Sequence, residues 1–228
     1  MKTLDYDKPI NALDEVRIKP LLKDINKKGI EFNYFISLDY PRRTSSYNKV
    51  LSDNKVLKED LIRFFGCEVR MLFFIEKHTG DGALSGSYHR HILLEEPSFT
   101  TREINTYLLN YDPEGRFEML LGEGLSEESR LKMVEHAFRS SRTTCNSKKG
   151  THAIKIQSNL NRVLAYCTKQ FERFHPSYEV LDPTSSDIDC SYFLQKKQNG
   201  LDYETRQSFL PKGSSGIMRH AYLKQHFA

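Results

Sequence analysis

The stretch that most constrains this 228-residue chain is Phe73-Phe74-Ile75-Glu76-Lys77-His78, a glycine-rich turn, and Tyr88-His89-Arg90-His91-Ile92-Leu93-Leu94-Glu95. Both flanks are apolar and β-favouring. Thr79-Gly80-Asp81-Gly82 and Ser85-Gly86-Ser87 supply a flexible connection, so the pattern predicts two strands of one hairpin. Side chains alternate across a strand, which puts His89 and His91 on one face and Arg90 on the other. On the partner strand Glu76 and His78 share a face. Pairing through the glycine loop then sets a carboxylate or a third imidazole across from two imidazoles. Such a donor set suits a divalent metal with positions left for substrate oxygens. Two histidines at i and i+2 also occur on strands for packing reasons, so the hairpin alone does not decide.

Composition narrows the class. Hydrophobic residues make up 38% and charged ones 28%, enough for a core beneath a highly polar surface. A net charge of +4 and a pI near 8.7 permit nucleic acid as a partner without demanding it. The four cysteines, Cys67, Cys145, Cys167 and Cys190, lack CxxC spacing, which argues against a zinc ribbon or a thioredoxin-like motif. They read as free thiols in a reducing compartment. Met1-Lys2-Thr3-Leu4-Asp5 carries no apolar signal region and no run reaches membrane-spanning length, so the expectation is a cytoplasmic protein without a membrane partner.

Along the chain, Met1 to Gly29 is polar, with a short helix predicted over Leu13 to Lys28 and interrupted at Pro20. A strand follows over Phe32 to Tyr40, with Phe32, Tyr34, Ile36 and Leu38 on one face and Phe35, Ser37 and Asp39 on the other. Asn48 to Phe65 reads as a helix stopped by Gly66. Beyond the hairpin, Thr100 or Thr101 caps a helix to about Leu109, and Arg116 to Leu121 reads as a short strand. Ser126 opens a helix through Phe138 with acids in its first turn. Arg139 to Lys155 holds Arg139, Arg142, Lys148, Lys149 and Lys155 with no acid, and reads as a basic loop running into a strand at Thr151 to Ile156. Ser158 or Asn159 then caps a helix from Leu160 to Phe174, ended by Pro176. The remainder to Ala228 shows weak periodicity, with a flexible joint at Lys212-Gly213-Ser214-Ser215-Gly216.

That last helix contains Tyr166-Cys167-Thr168-Lys169, which puts Tyr166 and Lys169 on one helical face. A tyrosine hydroxyl facing a bound metal can attack a phosphodiester, and a lysine one turn on can aid the leaving oxygen. YxxK by itself is common on amphipathic helices. Other chemistries fit less well. An iron oxygenase with two histidines and a carboxylate needs many more strands, a zinc deaminase needs HxE and paired cysteines, and no GxxxxGK[ST] is present.

The order Phe35-Ile36-Ser37-Leu38-Asp39-Tyr40-Pro41, then His89-Arg90-His91, then Tyr166-Cys167-Thr168-Lys169 resembles the three-motif layout of the HUH endonucleases. More narrowly, it is similar to the single-tyrosine rolling-circle replication initiators of small plasmids, phages and single-stranded DNA viruses. The resemblance covers Phe32 to Phe174, and it departs from the family at Arg90, where an apolar residue is usual. It implies an α+β fold, a ferredoxin-like central antiparallel sheet flanked by helices, with the nucleophile helix over the metal face. It implies magnesium or manganese on His89, His91 and Glu76, with His78 competing as third ligand, and catalysis by Tyr166 with Lys169. The implied reaction is nicking of single-stranded or hairpin origin DNA, leaving a 5′-phosphotyrosyl link, with a host helicase and polymerase as further partners. A transposase or mobilisation relaxase is the runner-up, and Lys169 tilts the reading toward replication. From another class, a non-catalytic nucleic-acid-binding module fits the same elements.

The expected organisation is an N-terminal extension over 1–30, a nicking domain over 31–175 and a C-terminal extension of unknown role over 176–228. Arg42, Arg43, Arg142, Lys148 and Lys149 are the expected DNA contacts, against the alternative of a solvated charge run. Tyr40 and Tyr47 are expected to stack on unpaired bases. Tyr107 and Tyr111 form a YxxxY pair, as in two-tyrosine relatives, but lie at a helix end and read as packing residues.

Overall fold

The structure, a computed structural model, describes residues 10, 12–40, 44–78, 86–111, 119–120, 124–144, 151–156, 160–168, 182 and 184–188. All belong to the first of two units into which the chain divides, at Ser191. The elements run α1 (Ala12–Lys28), β1 (Phe32–Leu38), α2 (Tyr47–Phe65), β2 (Met71–Lys77), β3 (Tyr88–Glu95), α3 (Arg102–Tyr111), β4 (Met119–Leu120), β5 (Gly124–Leu125), α4 (Glu127–Ser140), β6 (Thr151–Lys155) and α5 (Leu160–Cys167).

Four strands form one antiparallel sheet in the order β2-β3-β1-β6, and β4 and β5 make a separate small hairpin. Setting that hairpin and the terminal helices aside, the chain order is β-α-β-β-α-α-β with the last strand beside the first, the ferredoxin-like arrangement with one added helix, α3. The fold class is therefore α+β, a central antiparallel sheet flanked by helices, as expected. The histidine-bearing strand β3 is internal, held by β2 on one side and β1 on the other.

The alternation read from β1 sets the two faces. Tyr34, Ile36 and Leu38 join Met71 and Phe73 of β2, Ile92 and Leu94 of β3 and Ala153 of β6 in one core. Leu57, Leu61 and Phe65 of α2, Ile104 of α3, and Met133, Val134, Ala137 and Phe138 of α4 close it. Each large apolar side chain taken fully out of water here contributes roughly 1.5–3 kcal/mol. The opposite face carries Phe35, Leu72, Phe74 and Leu93, and Tyr166 of α5 packs edge-on to Phe35 across it. α1 packs in turn against α5.

Local chemistry sets the helix ends. Ser46 accepts from the Lys49 amide at the start of α2, and Gly66 takes the left-handed φ of 64° that ends it. Thr101 caps α3 by accepting from the Ile104 amide, and Ser126 caps α4 by accepting from Ser129. The expected break at Pro20 does not occur. α1 runs through it, because the one missing amide donor is outweighed by the burial of Ile18, Leu21 and Ile25. The strand expected over Arg116 to Leu121 is described only at Met119–Leu120. β1 stops at Leu38 rather than Tyr40, and α5 runs to Cys167 with Thr168 in a turn, the expected helix beyond that lying outside the described residues.

Two stretches expected to be extensions pack on the sheet domain. One is α1. The other is residues 182–188, which hydrogen-bond along the outer edge of β2. The amides of Asp182 and Asp187 donate to the carbonyls of Phe73 and Met71 at 3.2 and 2.8 Å. The Met71 and Phe73 amides donate to Asp187 Oδ2 at 2.7 Å and Ser186 Oγ at 3.0 Å. Lys58 of α2 clamps the same segment through Asp187 at 2.7 Å. An edge strand with unpaired backbone groups invites association with another strand, and this segment covers it.

Candidate metal centre

Strand register builds the site. His89 pairs directly with Glu76, and His91 pairs with Phe74, which places Glu76 diagonal to His91 on the same face. A glutamate is long enough to reach both positions. Glu76 Oε2 lies 3.2 Å from His89 Nε2 and 2.9 Å from His91 Nε2, and the two Nε2 atoms are 3.1 Å apart. Three basic atoms converging on one point repel unless a proton or a cation lies among them. Adjacent donors around an octahedral ion with bonds of 2.0–2.1 Å are about 3.0 Å apart. The triangle matches that spacing, and two imidazoles with one carboxylate suit a divalent ion.

The surroundings hold the ligands still. Phe35, on the neighbouring strand β1, stacks on the His91 ring with centroids 5.3 Å apart and 28° between planes. Tyr166 of α5 contacts both rings, edge-on to His91 at 5.3 Å and to Phe35 at 6.1 Å. Thus a phenol from the last described helix covers the imidazole whose Nε2 faces Glu76. His78, the competitor for third ligand, lies one step past β2, where its amide donates to Ser87 at 2.9 Å. Its ring packs against His89 at 4.3 Å and does not join the triad.

Arg90 projects from the opposite face of the same strand and is completely buried, at 0% exposure. Burial drives its guanidinium pKa down from the ordinary value. It donates to Asn54 Oδ1 of α2 at 3.3 Å and to the Thr143 carbonyl at 2.8 Å. Its guanidinium stacks on Tyr40, 4.4 Å from the ring centroid. Tyr40 is thereby committed to the core side, and burial pushes its phenol well above the ordinary value. Tyr47 packs near Tyr88 with centroids 6.2 Å apart. Tyr107 lies among Phe64 and His136, away from the metal face.

Much of the basic run is neutralised within the domain. Arg139 pairs with Glu135 at 2.8 Å, Lys155 with Glu127 at 3.0 Å and Arg142 with Asp60 at 2.9 Å. Asp60 sits on α2, so Arg142 lies on the side of the sheet away from the histidines. Burial raises the Asp60 carboxyl, but hydrogen bonds from Arg142 and Ser141 outweigh it and hold the group below the usual carboxylate range. Arg42, Arg43, Lys148, Lys149 and Lys169 lie outside the described residues.

Sequence reasoning missed Phe35 as the platform under His91. Its parity with Ser37 and Asp39 was visible, but the pairing of β1 with β3 was not. It missed Asn54 and Asp182 entirely. Comparison with protein-family models, with curated protein sequences and with solved structures found no match.

Proposed function

We propose that this chain is a metal-dependent endonuclease that nicks and rejoins single-stranded DNA through Tyr166. The observation that carries the reading is the position of the Tyr166 ring, 5.3 Å from that of His91, beside a carboxylate and two imidazoles spaced for a divalent ion. Glu76, His89 and His91 would hold magnesium or manganese. Such an ion polarises a bound phosphate and stabilises the charge that develops on it.

The chain's own residues supply the rest. The Tyr166 oxygen attacks the phosphorus and the bond from phosphorus to the 3′ oxygen breaks. The phenolic proton leaves to water and the departing oxygen takes up a proton, with Lys169 as the proposed assistant. The product is a 5′-phosphotyrosyl link and a free 3′-hydroxyl able to prime synthesis. Attack of a 3′-hydroxyl on that link reverses the step, so rejoining requires no nucleotide hydrolysis. This chemistry fits initiation of rolling-circle replication, and Lys169, one turn after Tyr166, supports that setting over a transposase or relaxase.

The test is formation of a covalent adduct between the purified chain and a labelled single-stranded oligonucleotide library, with manganese present, resolved on a denaturing gel. The wild-type chain forms an adduct, whereas Tyr166→Phe binds metal and DNA but forms none. An adduct that persists in Tyr166→Phe and disappears in Tyr107→Phe would move the nucleophile. Absence of any adduct with retained DNA binding would instead indicate a non-catalytic nucleic-acid-binding module.

A further inference from the structure

The buried guanidinium of Arg90 sits between the two proposed metal ligands of β3 and faces away from them. Moving a cation of this kind out of water costs several kcal/mol unless its partners are well placed. Among the described residues no carboxylate bonds to it directly, and its Nε has no hydrogen-bond partner. Its polar contacts are the Thr143 carbonyl and the Asn54 side-chain oxygen.

Asn54 is itself completely buried, and its amide can present either oxygen or nitrogen to Arg90. Only the oxygen is compatible with a guanidinium. What fixes that orientation is Asp182, whose Oδ2 accepts from Asn54 Nδ2 at 3.0 Å. The other oxygen of Asp182 accepts from the Thr184 amide and hydroxyl and from the Ser185 amide, at 2.9, 2.7 and 3.2 Å. The carboxylate is thus built into the turn of the edge-covering segment. A continuous buried chain runs from Asp182 through Asn54 to Arg90 in the centre of the histidine strand.

We propose that Asp182, acting through Asn54, is a positioning residue for the Glu76–His89–His91 site. It keeps the Arg90 guanidinium seated, and with it the β3 backbone from which both imidazoles project. The segment around residue 182 is then part of the metal centre's support, although it contributes no ligand. This inference rests on the metal-site reading above.

The experiment is calorimetric titration of the full chain with manganese alone, without DNA, alongside thermal unfolding in chelator. Asn54→Leu and Asp182→Asn should each weaken manganese binding by about tenfold, the lower end of the range for residues that support ligands. The double variant Arg90→Met/Asn54→Leu should recover affinity to within about threefold of wild type, since it removes the buried charge that needed the amide. Asp182→Asn keeps the side-chain size and carries the test if Asn54→Leu does not melt cooperatively. Unchanged affinity in both single variants overturns the proposal. So does a loss that Arg90→Met fails to restore, because Asn54 would then only dock the edge segment. Failure of the wild-type chain to bind manganese would remove the metal-site reading, and this inference with it.

Discussion

A carboxylate directly opposite one histidine and diagonal to the next gives Glu76 two imidazole neighbours, and this register brings Glu76, not His78, into the triangle with His89 and His91. His78 has the same parity but lies past the last β2 residue and packs ring to ring with His89. Replacing His91 or Glu76 by alanine is therefore expected to abolish manganese binding, measured by calorimetry. His78→Ala should retain it, because the His78 ring packs on His89 without joining the donor triangle. A His78→Ala chain as defective as His91→Ala would mean that the third donor is an imidazole. Parity made both candidates visible in the sequence. Their ranking from the residues alone needed the hairpin register, which the glycine-rich loop does not encode. Arg90 was legible as pointing away from the site, but its burial depends on Tyr40, Asn54 and Thr143, which only the fold brings together.

Elements bounded by capping chemistry were the most legible. Gly66, Thr101 and Ser126 each mark a helix end through a local hydrogen bond or a left-handed φ, interactions within four residues of chain. Gly66 offers a direct check. A methyl group there would take up a conformation L-residues disfavour and would also meet the Glu103 side chain. Gly66→Ala should cost about 1 kcal/mol in denaturant unfolding, since the exposed Glu103 can move but the backbone cannot. A loss of several kcal/mol would mean that Glu103 is held in place. By contrast, the edge-covering segment at 182–188 had no sequence signature. It joins β2 through serine and aspartate side chains across more than a hundred residues, with no alternation to betray it. The ion pairs of Arg139, Arg142 and Lys155 were hidden for a related reason, because their partners Glu135, Asp60 and Glu127 lie outside the charge run.

For the whole molecule, the placement of the site beneath α5 bears on substrate. His91 is only 2% exposed and His89 8%, so on the proposed reading a reacting phosphate has to approach two closely covered imidazoles. A paired strand carries its partner and its stacked bases with it, which hinders that approach. An unpaired strand can present one phosphate and turn its bases aside. The net charge is a modest +4, and among the described residues Arg139, Arg142 and Lys155 are paired with carboxylates, so unpaired bases as well as phosphates are expected to be contacted. Cleavage is therefore expected on single-stranded or hairpin-extruded DNA, with relaxed duplex a poor substrate. Lys148 and Lys149 are the proposed phosphate-binding side chains. Replacing both by alanine should weaken binding similarly across sequences. It should also flatten the slope of log affinity against log salt, by about 0.7 for each single-strand phosphate no longer neutralised. Titrations of a labelled oligonucleotide at several salt concentrations measure this slope. No change in it would show the two lysines to be solvated, and equal cleavage of relaxed duplex would overturn the single-strand expectation.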